Sequence, residues 1–525
     1  MKDCPLDACK HRIALLVLTA ALVLTASVAA KSDTGLTNHR TTHEIHSTAT
    51  GNHDPIWIDG DADFAAQAAS EGWKGNGSYD FPFAIENLSI LSNAYCIWVT
   101  NVNAHFVIRN SVFSTDVSYE GRAITFSSTR NGVVDSCLLD SFYMGIDVHN
   151  SEDCELMNIT VIEVQYGVYF AWSKHCTLMD SRLVHTGLIV EGDTIDEWNH
   201  TVVGNTVNGK AMGYFLSAHD LMVPGVDYGQ IVLAGCSRVE IHGGELGDTT
   251  VGITMALCED CSVYDSVLSF GVYGATIAKS QRTFLDGITA NSNMIWGIML
   301  NDSYSSVLAH CLFSGNGGWG IWCIGSDRSY IANSTIGENS DGLVCIDLQQ
   351  ALVIGNDIHG NGHGVDMQFC RDCILINNTI CQNTVTGLEL EYECTGNLVC
   401  ANTIGWNNEC NAQDDGINNL WDDGNALGNS WSDYSGGGDY QIPGSAGSID
   451  HFPSKATSTS STITTDGGSP WNWNQMTQIV TAAAVITIVV FSILIIRNRG
   501  TGTADRDHIS NSLCTNFRKC VCSSF

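Results

Sequence analysis

The chain has 525 residues, 44% of them hydrophobic, and a formal net charge of −33. With 23 Lys and Arg against 56 Asp and Glu, nucleic acid is excluded as a partner, because binding phosphates needs clustered cations. Unaided binding of polyuronates is disfavoured for the same reason, whereas an exterior surface, divalent cations or a salty medium all fit the acidic excess.

Met1 to Arg12 carries Lys2, Lys10 and Arg12 and leads into the apolar run Ile13 to Ala26 and the small residues Ser27 to Ala30. This predicts a secretory signal over residues 1–30, with an uncleaved anchor as the alternative. Residues 31–54 read as a polar linker crowded with His39, His43, His46 and His53; such a tract is either featureless or a loose copper or zinc ligand. Residues 55–92 are expected to cap the domain that follows. Within them Asp59, Asp61 and Asp63 have the spacing that opens a calcium loop, but Phe64 and Ser70 stand where an EF-hand needs Gly and Glu. Calcium is therefore only a candidate there.

From 93 to 410 a ruler appears. Gly145 and Gly167, then Gly252, Gly274, Gly297, Gly320, Gly342, Gly364 and Gly387, stand 22 or 23 residues apart within each block. Each is followed by an apolar, variable, apolar triplet such as Ile146-Asp147-Val148 or Ile298-Met299-Leu300, the signature of a strand with one face in a core. Small polar residues recur thirteen to fifteen places later, among them Asn158, Asp180, Asp265, Asn333, Asn356, Asn378 and Asn402, and are expected to stack as ladders. The period suits one coil of a strand solenoid. The fold class is all-β: a right-handed parallel β-helix of about 13 coils, one elongated domain.

Stacking turns the ruler into contacts. Cys154 comes over Cys176 and Cys323 over Cys345, at a separation a disulfide accepts; buried thiols are the alternative. Cys258-x-x-Cys261 and Cys370-x-x-Cys373 fall on coils too distant to share one metal ion. One place before their glycines, Tyr273, Trp296 and Trp319 form an outward strip with Trp322, able either to hold sugar rings or to pack under a turn. Asp366 and Glu389 take the same outward position on adjacent coils, and Asp414 and Asp415 follow, a weak catalytic set. Seven N-x-S/T sequons, at Asn76, Asn87, Asn158, Asn199, Asn301, Asn333 and Asn377, are candidate glycosylation sites.

Residues 411–453 read as a C-terminal cap and 454–475 as a Ser/Thr-rich stalk. Residues 476–496 contain the uncharged run Ile479 to Ile496, preceded by Trp471 and Trp473 and followed by Arg497 and Arg499. That predicts one transmembrane helix with the β-helix outside and residues 497–525 in the cytoplasm, where Cys514, Cys520 and Cys522 lack a fourth ligand.

Three segments carry a resemblance: Ile56-Trp57-Ile58-Asp59-Gly60-Asp61, Asn205-Thr206-Val207-Asn208-Gly209-Lys210, and Asn418 to Gly424 with Gly428-Asn429-Ser430-Trp431-Ser432-Asp433-Tyr434 and Ile442-Pro443-Gly444. With the repeats, Pro55 to Pro453 resembles the NosD-like, CASH-type right-handed β-helix proteins of archaeal and bacterial surfaces, within the pectin-lyase-like superfamily. Relatives often carry an Asp-rich loop before Ile-Pro-Gly, where this chain has only Ser435 to Asp439. Copper, which the family's name implies, finds no paired Met and His ligands on neighbouring coils.

The expected function is a membrane-anchored surface module that binds or displays, recognising carbohydrate or envelope proteins. Alternatives are a polysaccharide-active hydrolase, lyase or epimerase using the outer carboxylates, and a NosD-type periplasmic copper-related protein. No cofactor is certain.

Overall fold

A computed structural model describes residues 51–457, all within one compact unit, Met1–Thr459. The predicted signal peptide, membrane span and tail, with most of the linker and stalk, lie outside the described residues. Among the described residues no helix is long and apolar enough to cross a membrane.

The described chain is a parallel β-helix. Strands of successive coils pair in parallel register, as Ile146 with Val168 and Ile298 with Ile321. The apolar members of each triplet face a core and the middle one faces out. The glycine ruler has a steric cause: a Cβ on Gly145 would lie 2.3 Å from the carbonyl oxygen of Gly167, and one on Gly342 2.5 Å from that of Gly364. Only glycine permits so close a backbone approach.

The nine glycines form two ladders rather than one. Gly145 and Gly167 lie in a six-stranded sheet that ends at Leu188–Glu191, whereas the block from Gly252 onward lies in a 17-stranded sheet. Between the two blocks Thr206–Val207 and Lys210–Leu216 pair antiparallel across Asn208 and Gly209, at φ 51° and 81°. Positive φ at both central residues is the type I′ hairpin that Asn-Gly favours.

Beyond the hairpin each strand of the long sheet runs opposite to its first-solenoid neighbours, and the core changes sides. In Tyr228–Ala234, Ile231 and Leu233 enter one hydrophobic cluster, while Val232 and Ala234 enter the other. Reversing strand direction and moving the core to the opposite face together leave the hand of the winding unchanged. The molecule is thus two stacked solenoids of one hand sharing a sheet. Its 17 strands exceed the roughly 13 coils expected, because the sheet also takes in Gly51–Asn52 and Leu88–Leu91 from the entry segment and, at the junction, Lys210–Leu216 and Tyr228–Ala234 lie less than one period apart.

Both outer ends are covered, as unpaired edges and open core require. At the first, helix α1 (Asp61–Glu71) buries Phe64 and Ala68, and Phe64 stacks on Phe83 at 4.8 Å. At the last, Trp421 and Trp431 are buried. The Trp421 indole donates to Asp414 and the Trp431 indole to Asp450, each at 2.9 Å.

The polar ladders are more sharply placed than their spacing suggests. Asn158, Asp180, Asp265 and Asn333, thirteen places after their glycines, turn corners at positive φ. Buried stacking begins one place later: Asn356 donates to Asn378, Asn378 to Asn402 and Asn402 to Asn429, each at 3.0 Å. A second ladder runs Asn293, Asn316, Asn339, Asn361, Asn383, Asn407.

The cysteine pairs stack without bonding. Cys323 pairs in register with Cys345, and the strands after Cys154 and Cys176 pair likewise, but Cys154, Cys176, Cys323 and Cys345 are all free thiols. Stacked thiols point into the same apolar strip and behave there as small hydrophobes. Burial pushes the Cys323 thiol up to about 12.

Candidate functional site

The outer face of the second solenoid's glycine-bearing sheet carries two adjacent rows. Tyr273, Trp296, Trp319, Asp341 and His363 follow one another in register. Beside them run Met299, Trp322, Val344, Asp366, Glu389 and Gln413. The sequence-predicted aromatics and the Asp366–Glu389 pair therefore share one face, aromatic at one end and acidic at the other.

The aromatic rings spend most of their faces on each other. Centroids lie 3.9 Å apart for Tyr273 and Trp296, 6.3 Å for Trp296 and Trp319, and 4.7 Å for Trp319 and Trp322, with interplanar angles of 15°, 28° and 27°. Rings stacked along the solenoid axis show mainly edges to solvent, and Trp322 is only 7% exposed. The stack ends at Trp319 and Trp322, where the next coil brings the smaller Asp341 and Val344. In the other direction it crosses into the first solenoid: the Tyr273 and Tyr166 hydroxyls are 2.8 Å apart, and Tyr166 lies edge-on to Tyr143 at 5.1 Å. Sequence reading missed Tyr166, although it precedes Gly167 just as Tyr273 precedes Gly274.

At the acidic end the Gln368 amide donates to Asp366 at 3.0 Å and to Glu391 at 3.2 Å. His363 Nδ1 lies 3.6 Å from Glu389 Oε2, and the His363 backbone N–H donates to Asp341 at 3.3 Å. Two buried atoms, Asp366 Oδ1 and His363 Nδ1, have no hydrogen-bond partner. Burial, reinforced by the charges of Glu389 and Asp341, pushes the Asp366 carboxyl up to about 6; burial and the Asp366 charge push Glu391 up to about 7.

The remaining candidates are not brought there. Asp414 is fully buried and accepts from the Trp421 indole, Asn419, the Gly416 N–H and Ser448, so it anchors the end seal and is unavailable for catalysis. Asp415 accepts from the Ser445 N–H and Gln413. Asp61 accepts the Asn103 and Ala104 amides, Asp63 the Asp59 amide, and Asp59 the Asn101 side chain. Those carboxylates tie α1 to the next coil instead of converging on a calcium-sized centre. Of the sequons, Asn76, Asn158, Asn199, Asn333 and Asn377 are exposed, and Asn87 and Asn301 are half-buried.

Residues 228–436 match a family model described as periplasmic copper-binding protein (NosD). That stretch is a NosD-like β-helix. No curated protein matches the chain in sequence. Among solved structures, a mutant of the periplasmic alginate epimerase AlgG is 12% identical with a TM-score of 0.31, covering 72% of this chain and 86% of that one. The A-module of the Azotobacter vinelandii mannuronan C-5 epimerase AlgE4 is 13% identical with a TM-score of 0.26, covering 60% and 90%. PfbA, a surface adhesin of Streptococcus pneumoniae, is 9% identical with a TM-score of 0.25, covering 75% and 95%. No residue or activity transfers at such distances.

The matched stretch does not fit the copper named in that model's description. Its buried Met255 and Met367 and nine of its twelve cysteines face the core. Among the described residues the one triad of His, Cys, Asp or Glu ligand atoms lying within 4.8 Å of one another is Glu152, Asp153 and His175. It lies outside the match, with Arg130 paired to Glu152 and 3.8 Å from Asp153, where a cation already sits.

Proposed function

We propose that this protein is a surface binding module whose NosD-like outer face recognises neutral carbohydrate, with the β-helix held outside the membrane by the predicted C-terminal span. The observation that carries the reading is the end of the aromatic stack at Trp319 and Trp322, beside a patch where Asp366 Oδ1 and His363 Nδ1 are buried without a hydrogen-bond partner. Buried polar atoms ordinarily have partners, and sugar hydroxyls supply them while a pyranose face packs on indole. Asp341, Asp366, Glu389 and Glu391 repel uronates, so the ligand class is neutral. A glycan array tests it: Trp319→Ala is expected to weaken binding of the recognised neutral glycan at least ten-fold, and unchanged binding would remove this face.

A second reading, polysaccharide hydrolysis, is favoured by one feature. Asp366 and Glu389 are register neighbours, at a strand spacing of about 4.8 Å close to the 5–5.5 Å between carboxylates of retaining glycosidases. If it holds, Asp366→Asn abolishes release of reducing ends from a bound glycan without abolishing binding.

A further inference from the structure

The first solenoid presents another aromatic surface, on the outer face of its own glycine-bearing sheet. Trp57 and Trp98 pair in register and stack at 5.2 Å and 16°, with Tyr95 edge-on to both at 5.8 and 6.1 Å. The strand Ile56–Asp59 is the last of that sheet. No strand of the described residues lies beyond it, so Trp57 has one face on Trp98 and the other open, and it is 48% exposed. No ring of the Trp296–Trp319 stack is so open.

Polar groups suited to hydroxyls adjoin these rings. Arg122, in register with Tyr95, donates to Asp147 at 2.6 Å. Thr125, between Trp98 and Asp147 in its row, is fully buried, and its hydroxyl has no partner. An open cleft of about 400 Å³ lies alongside, lined by Asn93, Tyr119, Glu120, Arg122 and Tyr143 among others, within the size range of small-molecule sites. Tyr143 is also the first ring of the chain of contacts leading to Tyr273 and Trp296.

We propose that this face is a second saccharide station, with Trp57 as the stacking platform and the Arg122–Asp147 pair and Thr125 as hydroxyl partners. The ligand is neutral. Asp147 already neutralises Arg122, and Glu120 adds negative charge, so an acidic sugar gains nothing there. A charged pair held in place offers donors and acceptors together, as vicinal hydroxyls require. The station rests on its own residues. Only its consequence depends on the site at Trp319: with both occupied, one rigid chain grips a repeating neutral polymer at two points, and avidity exceeds single-site affinity by about 10²–10⁴.

Affinity electrophoresis of the full chain through gels containing soluble glucan, mannan or galactan, with polygalacturonate as the acidic comparator, tests this. The native chain is expected to be retarded by one neutral polymer and not by polygalacturonate. Trp57→Ala is expected to weaken the interaction at least ten-fold, Trp57→Phe to keep it within about threefold, and Trp57→Ala with Trp319→Ala to abolish it. Trp57 is half exposed, so its loss leaves the fold intact, and an unchanged circular dichroism spectrum checks that. Native-like retardation of Trp57→Ala alongside loss in Trp319→Ala overturns the second station and leaves the first. Loss in Trp57→Ala with native-like Trp319→Ala keeps the station and overturns the site at Trp319 and the two-point grip. No retardation by any neutral polymer overturns both.

Discussion

Replacing Asn361 by Ala removes the centre of a buried ladder. Its side-chain oxygen accepts from the Asn339 backbone N–H and side-chain amide, both at 3.0 Å, and its amide donates to the Ile336 carbonyl at 3.0 Å and to Asn383 at 3.1 Å. The residue is fully buried, so water cannot replace these bonds. A net hydrogen bond is worth about 1 kcal/mol and an orphaned buried donor costs about 1–3 kcal/mol, so four losses including a backbone N–H amount to roughly 3–5 kcal/mol. Because coils contact only their neighbours, the damage is expected to be local: amides of the strands Thr335–Gly337, Asp357–His359 and Thr379–Cys381 should lose hydrogen-exchange protection first. Guanidinium denaturation followed by exchange mass spectrometry measures both. The exposed Asn199→Ala control should stay within about 0.5 kcal/mol. A shift below about 1 kcal/mol in Asn361→Ala, with exchange unchanged, refutes the ladder as a stabilising element.

Asp414→Ala should destabilise by about 3–5 kcal/mol through its orphaned donors, whereas Asp415→Ala should cost under about 1 kcal/mol; equal costs in denaturation would contradict the end-seal role. Asp366 behaves in the opposite sense. Its folded value of about 6 lies above the ordinary 3.8, so the unfolded chain loses its proton first and stability falls as pH rises from about 4 to about 6, then stays level. Asp366→Asn should therefore gain on the order of 2–3 kcal/mol above pH 6 and nothing below pH 4; a gain that does not depend on pH would show that burial is not the cause. Alkylation after unfolding without reductant should label Cys154, Cys176, Cys323 and Cys345; a peptide pair joined by a bond would contradict the free thiols. Gln230→Ala should cost about 3 kcal/mol in melting experiments, because Gln230 satisfies both the N–H and the carbonyl of Leu188 across the solenoid junction.

The coil was legible because its cause is local. A glycine that must admit a neighbour's carbonyl, and a triplet alternating inward and outward, leave a mark every 22 or 23 residues. The chain reversal left marks too. Asn208-Gly209 is a hairpin dipeptide, and Ile231-Val232-Leu233-Ala234 is apolar without alternation, as a strand buried on both faces must be. Spacing alone could not say that a second core began there.

The same division holds at the candidate site. Tyr273, Trp296, Trp319, Asp366 and Glu389 fall together because the ruler makes them register neighbours. That the rings would stack on each other, with few faces left for a ligand, depends on ring angles that no spacing encodes. Asp414 sits only two coils beyond Asp366 in sequence, but the end segment returns through Trp421 and Ser448 to bury it, a contact outside the repeat. Trp57 lay hidden in a cap-like segment, since its exposure follows from being in the terminal strand of its sheet.

The most direct test of carbohydrate recognition on the outer face is a crystal structure of the full chain soaked with an oligosaccharide of the neutral polymer that retards it. The account places a pyranose against Trp319 with hydroxyls within hydrogen-bond distance of Asp366 and His363. Sugar density confined to other surfaces, with that face empty, would contradict it.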